Sequence, residues 1–204
     1  MAERIRLNKV SLREQKQKMA MYVRFLPALE ARKQQLVMQL AFVRKNIRDQ
    51  QVLMAKILEE ISSWASLYWD IEKILRFFIS IREIRFASRN VAGLRIREFV
   101  EVVYDDPGHS LFSTPYSFDF VLKKTREAIS LREHIKILEE QEHVLLEGFR
   151  KTSQRINLYE QRLIPLCREA VRKISVYLQD QQAAAVGVAK VAKRLSEEAT
   201  YYAG

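Results

Sequence analysis

Apolar residues recur along the first third of the chain at alternating steps of three and four. One row runs Ile5, Leu12, Met19, Leu26, Lys33, Leu40, Ile47, Met54, Ile61, Tyr68 and Leu75. The other runs Asn8, Gln15, Tyr22, Leu29, Leu36, Val43, Gln50, Ile57, Trp64, Ile71 and Phe78. Eighteen of these 22 sites are apolar, against about ten or eleven for random placement of a 48% apolar composition. This is coiled-coil periodicity, and it predicts one helix over residues 5–77. The last third behaves alike. Val121, Ala128, Ile135, Glu142, Phe149, Ile156 and Leu163 form one row; Lys124, Leu131, Leu138, Leu145, Thr152, Tyr159 and Leu166 form the other. Beyond Pro165 the first row continues through Ala170, Tyr177, Ala184 and Val191. The second moves over by one, to Cys167, Ile174, Gln181, Val188, Leu195 and Tyr202. A kink at the proline is the expected cause.

Residues 79–115 break the pattern. "IREIRFA", "NVAGLRI" and "EFVEVVY" are short and rich in β-branched or aromatic residues, and "DDPG" at 105–108 is a turn or loop signal. Thr114 reads as the N-cap of the second helix, with Pro115 at its first position. The expected fold is mainly α: a long antiparallel two-helix coiled coil with a small β-containing central insert. Its divisions are 1–78 (N-terminal coiled-coil helix), 79–115 (insert with a β-hairpin) and 116–204 (C-terminal coiled-coil helix).

Helix ends near 77 and 117 set a register. Pro27 then faces Pro165, Gln50 faces Glu142, Lys33 faces Glu160 and Gln15 faces Gln181. Polar residues in a core row fix register at a cost in stability. Each proline removes one backbone hydrogen bond, so Pro27 and Pro165 are read as a paired kink. The C-terminal helix overhangs its partner by about a dozen residues at 1.5 Å per residue. Further along, Leu53, Leu58, Leu67 and Ile74 lie outside the seam of the first helix, and Ile129, Ile137 and Val144 outside that of the second. Either the insert folds back over them or another protein docks there.

Charge is uneven. Residues 1–50 hold 12 basic and 4 acidic side chains, a net of +8, while residues 101–150 hold 6 and 10, a net of −4, within a chain total of +10. The basic face near the N-terminus includes Arg4, Arg6, Lys9, Arg13, Lys16, Lys18 and Arg24. Such charge speaks of partners rather than fold, and nucleic acid or an anionic membrane surface is the standard partner. No reading motif accompanies it, and the apolar stripe is already used by the partner helix. The most apolar window, "WASLYWDIEKILRFFISI", carries Asp70, Glu72, Lys73 and Arg76, too many charges for a membrane span. No signal peptide is expected.

Catalytic patterns are absent. Gly93, Gly108, Gly148, Gly187 and Gly204 have no phosphate-loop spacing. Glu140 and His143 form one Glu-x-x-His where a bundle di-iron site needs two. His109 and His134 show no zinc spacing. The single cysteine, Cys167, excludes an internal disulfide and falls on the core row as a buried thiol.

Three stretches carry a family resemblance. "IRLNKVSLREQKQKMAMYVRFLPALEARKQQL" resembles the N-terminal helix of the D subunit of V-type/A-type rotary ATPases, especially bacterial forms. "KTSQRINLYEQRLIPLCREAVRKISVYLQDQQAAAVGVAKVAKR" resembles its C-terminal helix, with Arg155 to Pro165 the most specific part. "NVAGLRIREF" and "LFSTPYSFD" resemble its insert; Arg97 departs from the proline of many members. The resemblance implies a non-catalytic rotor shaft without cofactor or metal. It transmits torque between a hexamer of A and B subunits and the membrane ring, coupling ATP synthesis or hydrolysis to proton or sodium transport. The implied partners are the catalytic A and B subunits, the F subunit and the funnel-shaped C/d subunit of the membrane rotor. One copy per complex is implied, cytoplasmic and peripheral to the membrane, without nucleic acid or membrane insertion. Placed by height and charge, Arg4, Lys9, Arg13, Lys16, Lys18, Arg24, Lys190, Lys193 and Arg194 are the expected hexamer contacts. Leu53, Leu58, Leu67, Ile74, Ile129, Ile137 and Val144 are the expected docking face for the F subunit. The alternative is a free-standing basic coiled-coil scaffold that binds nucleic acid or anionic membrane.

Overall fold

A computed structural model describes residues 6–66, 72–105, 108 and 115–202. Arg4, Leu67 and the expected cap Thr114 lie outside them. The element order is α1 (Lys9–Ala65), α2 (Glu72–Phe78), β1 (Ile81–Val91), β2 (Leu94–Tyr104), α3 (Phe118–Leu158), a π turn (Tyr159–Leu163) and α4 (Ile164–Tyr202). The fold is mainly α with one antiparallel two-stranded sheet, as expected. The chain forms two compact units: a hairpin unit, Arg32–Thr152, and a terminal unit, Met1–Ala31 with Ser153–Gly204.

In the hairpin unit α1 and α3 run antiparallel. Arg44 meets Glu142 at 2.7 Å and Lys124 meets Glu60 at 2.9 Å. The Trp64 and Phe120 rings lie 5.8 Å apart. Leu36, Leu40, Val43 and Ile47 of α1 pack with Leu138 and Leu145 of α3, and Val91 and Ile96 of the hairpin join the same core. Leu36 and Leu145 are fully buried, each worth about 2 kcal/mol of transfer free energy. A second, smaller core joins Phe78, Phe118 and Leu122.

The hairpin closes on the two residues Ala92 and Gly93, both at positive φ, 50° and 77°. That backbone suits the twist of paired strands. For Ala92 it costs about 1 kcal/mol, accepted at a side chain that packs on the core. The expected turn at "DDPG" lies partly outside the described residues; at its first residue the Asp105 N–H donates to the Ser80 carbonyl at 3.0 Å. The hairpin lies along α3. Leu94 sits against Gly148, and the Tyr104 hydroxyl donates to the Arg126 carbonyl at 2.7 Å. Ten strand steps at about 3.3 Å and 22 helix steps at about 1.5 Å both span about 33 Å.

Two expectations are corrected here. The first helix stops at Ala65 rather than running to 77. Ser62 and Ser63 turn their hydroxyls back onto the Glu59 and Glu60 carbonyls, at 2.8 and 2.7 Å, a competition that weakens a helix end. The second helix starts at Phe118, three residues after Pro115. The seam is therefore counted from 65 and 118, and the register moves. Glu142 faces Arg44, not Gln50. Lys33 lies over the Phe149 ring at 6.0 Å, not beside Glu160.

In the terminal unit Asn8 caps α1, its Oδ1 accepting the Ser11 N–H at 2.7 Å. The Tyr22 and Tyr159 rings meet at 5.1 Å. Lys18 is near enough to Cys167 to act on its thiol. Pro27 and Pro165 therefore do not face each other. α1 runs unbroken through Pro27. Pro165 stands in the first turn of α4, directly behind the π turn, where the backbone is already helical and its missing N–H leaves one carbonyl without a helical donor. A π turn holds one more residue than an α turn, and both seam rows advance by one across it. Before it they run through Ile156 and Tyr159; after it Cys167 and Ile174 are buried, and Ile164, Val171 and Leu178 half-buried. The stripe shift read at Pro165 is thus a π turn; Ala170 on the expected row is buried, and beyond it the row moves from the exposed Tyr177 to the half-buried Leu178. The overhang is longer than expected, since every residue from Gln179 to Glu197 is exposed.

Candidate functional site

The basic residues of α1 stand out from the seam. Lys9, Arg13, Lys16, Lys18 and Arg24 are exposed. Lys9, Arg13 and Lys16, with Leu12, Gln17 and Ala20, line an open cleft of about 350 Å³. Lys190, Lys193 and Arg194 are exposed on the overhang of α4, and Lys193 pairs loosely with Glu197 at 3.7 Å. Between these charges Val188 and Val191 are 70% and 59% exposed and Leu195 59%. Val188 and Leu195 continue the apolar rows into a stretch where no described side chain covers them. Gly187, in the same stretch, has open space where a Cβ would stand, which keeps the helix thin there.

Of the seven residues expected on one docking face, the six described ones divide in two. On the first helices Leu53, Leu58 and Ile74 are exposed. On α3, Ile137 is buried and Val144 packs with the hairpin core; Ile129 is half-buried. The insert folds back over α3, and the other face is uncovered among the described residues.

Three fastenings hold the hairpin there. At its base Arg126 donates from Nε and Nη2 to the Phe78 carbonyl, at 3.1 and 2.9 Å, and from Nη2 to the Asp105 carbonyl at 3.4 Å. Its guanidinium lies 5.0 Å from the Tyr104 ring centre, and burial pushes the Tyr104 hydroxyl above its ordinary pKa. Midway the Gln141 side-chain amide donates to the Arg97 carbonyl, and His134 stacks on Phe99 at 4.7 Å. Burial holds that imidazole below its ordinary value. At the tip a Cβ on Gly148 would come within 2.3 Å of Leu94 Cδ1, so the helix carries glycine where the strand presses in. Beside His134, burial would raise Glu133, but Lys136 and Arg132 outweigh it and hold the carboxyl below its usual range.

Sequence reasoning did not single out three exposed rings. Phe77 is 73% exposed, and Tyr116 and Phe120 are also exposed at the start of α3 and just before it. Phe77 flanked the seam row at Phe78, and Tyr116 and Phe120 lay beside a predicted helix start, so nothing in the period set them apart. As for chemistry, no group of three or more metal-binding side chains occurs among the described residues. Glu140 faces Arg97 at 3.9 Å. Cys167 is a buried free thiol whose pKa burial raises against the pull of Lys18. No described helix is long and apolar enough to cross a membrane.

These features are those of an interacting helical protein, and comparison with known proteins agrees. The sequence model of the ATP synthase D-subunit family matches residues 11–194. The chain is similar to the V-type ATP synthase D subunit of Borreliella burgdorferi, 37% identical over 93% of this chain and 94% of the relative. It is similar to the protein of the same name from Chlamydia pneumoniae, 29% identical over 97% and 95%. The Chlamydia trachomatis protein is 28% identical over 95% and 97%. The chain belongs to the ATP synthase D-subunit family.

Proposed function

We propose that this chain is the central rotor shaft of a V/A-type rotary ATPase and is itself non-catalytic. It carries torque between the A/B catalytic hexamer and the membrane ion-translocating ring, one copy per complex, at the cytoplasmic side of the membrane. One observation carries the reading: in a chain of this family, Gln179–Glu197 of α4 is exposed throughout, with Val188 and Leu195 in seam positions and Val191 exposed between them. Such a helix has its apolar rows ready for a surrounding sleeve. Lys9, Arg13, Lys16, Lys18, Arg24, Lys190, Lys193 and Arg194 are the cations that would face an acidic bore, attracted by long-range fields rather than fixed pairs.

The open face at Leu53, Leu58 and Ile74 is assigned to the F subunit. The exposed rings Phe77, Tyr116 and Phe120 are assigned to the funnel-shaped C/d subunit. Aromatic side chains in such numbers are what interface cores use. The helix, insert, helix division at 1–78, 79–115 and 116–204 then becomes a division of labour, with the insert stiffening the part that F grips.

The test is reconstitution with A and B subunits from the same source, with and without F, following complex size and ATP turnover. Incorporation of one copy per hexamer, with a change in turnover lost on deleting residues 190–204, is expected. Failure to incorporate, with salt-sensitive binding to DNA or anionic vesicles instead, would replace the shaft with a basic scaffold.

A further inference from the structure

We infer that the π turn Tyr159–Leu163, together with Pro165, is a torsional joint built into the terminal unit. The inference rests on the shaft reading and deepens it. Consider first the backbone. The turn closes by the Ile164 N–H donating to the Tyr159 carbonyl, five residues back. Pro165 has no N–H to continue the ladder. The next carbonyl, that of Glu160 in π spacing or Gln161 in α spacing, receives no helical donor. Both residues are exposed.

Side-chain packing is thin at the same place. None of the five π-turn residues is buried, whereas Ile156 before it and Cys167, Ala170 and Ile174 after it are. The contact across the seam is a tilted pair of rings, Tyr22 and Tyr159. Five residues along α1 from Tyr22, Pro27 lacks its own N–H donor. Both strands of the helix pair thus lose backbone bonds near one packing-poor segment. A torque is taken up where restoring contacts are fewest.

The extra residue makes the joint separable from the packing it interrupts. Ile156 and Ile164 are eight apart, as are Tyr159 and Cys167, where a heptad seam needs seven. Removing one exposed residue from the turn restores seven. Deleting Gln161 together with Pro165→Ala is therefore expected to give an uninterrupted α-helix whose Cys167 and Ile174 still face α1. Deleting the exposed Glu139 of α3 is the control, because it turns all that follows by about 100°.

The measurement is amide hydrogen exchange of the full chain, and then angular fluctuation of the stalled rotor in the reconstituted complex. In the parent, amides of 160–166 are expected to exchange at least about tenfold faster than those of 36–47. In the Gln161-deleted, Pro165→Ala variant they slow by about tenfold, the melting temperature does not fall, and the rotor's angular spread narrows. A variant that melts as early as the Glu139 deletion, or a rotor that turns with unchanged spread, overturns the joint and leaves the shaft reading standing. A parent chain that never enters the complex overturns the shaft reading and the joint with it.

Discussion

The hairpin unit and the terminal unit each contain a two-helix seam and differ in what is laid against it. In the hairpin unit α3 is buried on two sides. Leu138 and Leu145 meet α1, while Gln141, Val144 and Gly148 lie under the strand pair. In the terminal unit the helices have only each other, and past Leu178 α4 has no cover at all among the described residues. The comparison teaches that a helix pair alone buries one narrow stripe. A third layer adds burial, polar fastenings and a fixed register. Its absence leaves surface for other chains, and it leaves room for a π turn that a second packed face would resist.

The sharpest way to break the contrast is to empty the shared core of the hairpin unit. Leu145→Ala removes a fully buried side chain and is expected to cost about 3 kcal/mol by denaturant titration. An equal loss from Leu195→Ala would mean that the overhang is not bare. Next comes the strap itself. Gly148→Val puts two methyl groups where Leu94 sits and is expected to cost about 2 kcal/mol. Faster amide exchange should be confined to residues 81–104, and uniform acceleration would show that the hairpin is not a separate layer.

A smaller effect comes from acid. The Glu133 carboxyl lies below its usual range when folded, so its stabilising share is full above the ordinary carboxylate value. That share is lost as pH falls through the depressed folded value. Melting temperature of Glu133→Gln should therefore lie below the parent's near neutral pH and converge with it in acid; a constant gap would refute the assignment. The smallest change belongs to the terminal unit. Leu195→Ala, 59% exposed in the parent, should shift stability of the free chain by no more than about 0.5 kcal/mol.

Much of the fold was legible because periodicity is a direct trace of burial. The heptad rows located both long helices and the buried positions Leu36, Leu40, Val43 and Ile47, and β-branched clusters located the insert. The shift of one row at Pro165 was also visible, though its cause was a whole extra residue and it moved both rows. What the period could not carry was the end of α1. Ile71, Leu75 and Phe78 continue the rows beyond Ala65, and two serine hydroxyls bonding backwards leave no mark on a hydrophobic pattern. That one misplaced end displaced the register by six residues at Glu142 and eleven at Lys33. Of the candidate surfaces, the cations were readable as charge. The division of the apolar face was not, since whether a hairpin covers Val144 or Leu53 is decided by long-range docking at Gly148 and Arg126.

The strand and helix that lie side by side also advance at different rates. A strand residue covers about 3.3 Å and a helix residue about 1.5 Å, so each step along β2 answers to roughly two along α3. The pair works like a gear of fixed ratio. A lineage that lengthened the hairpin by one residue in each strand would carry its tip about two helix residues past Gly148, to a position about 200° round the helix from that glycine. A single-residue insertion in α3 would shift the fastenings beyond it by about half a strand residue and turn them about 100° away from the hairpin. Lengths in this part of the chain can therefore drift only in coupled steps, however freely its surface residues change.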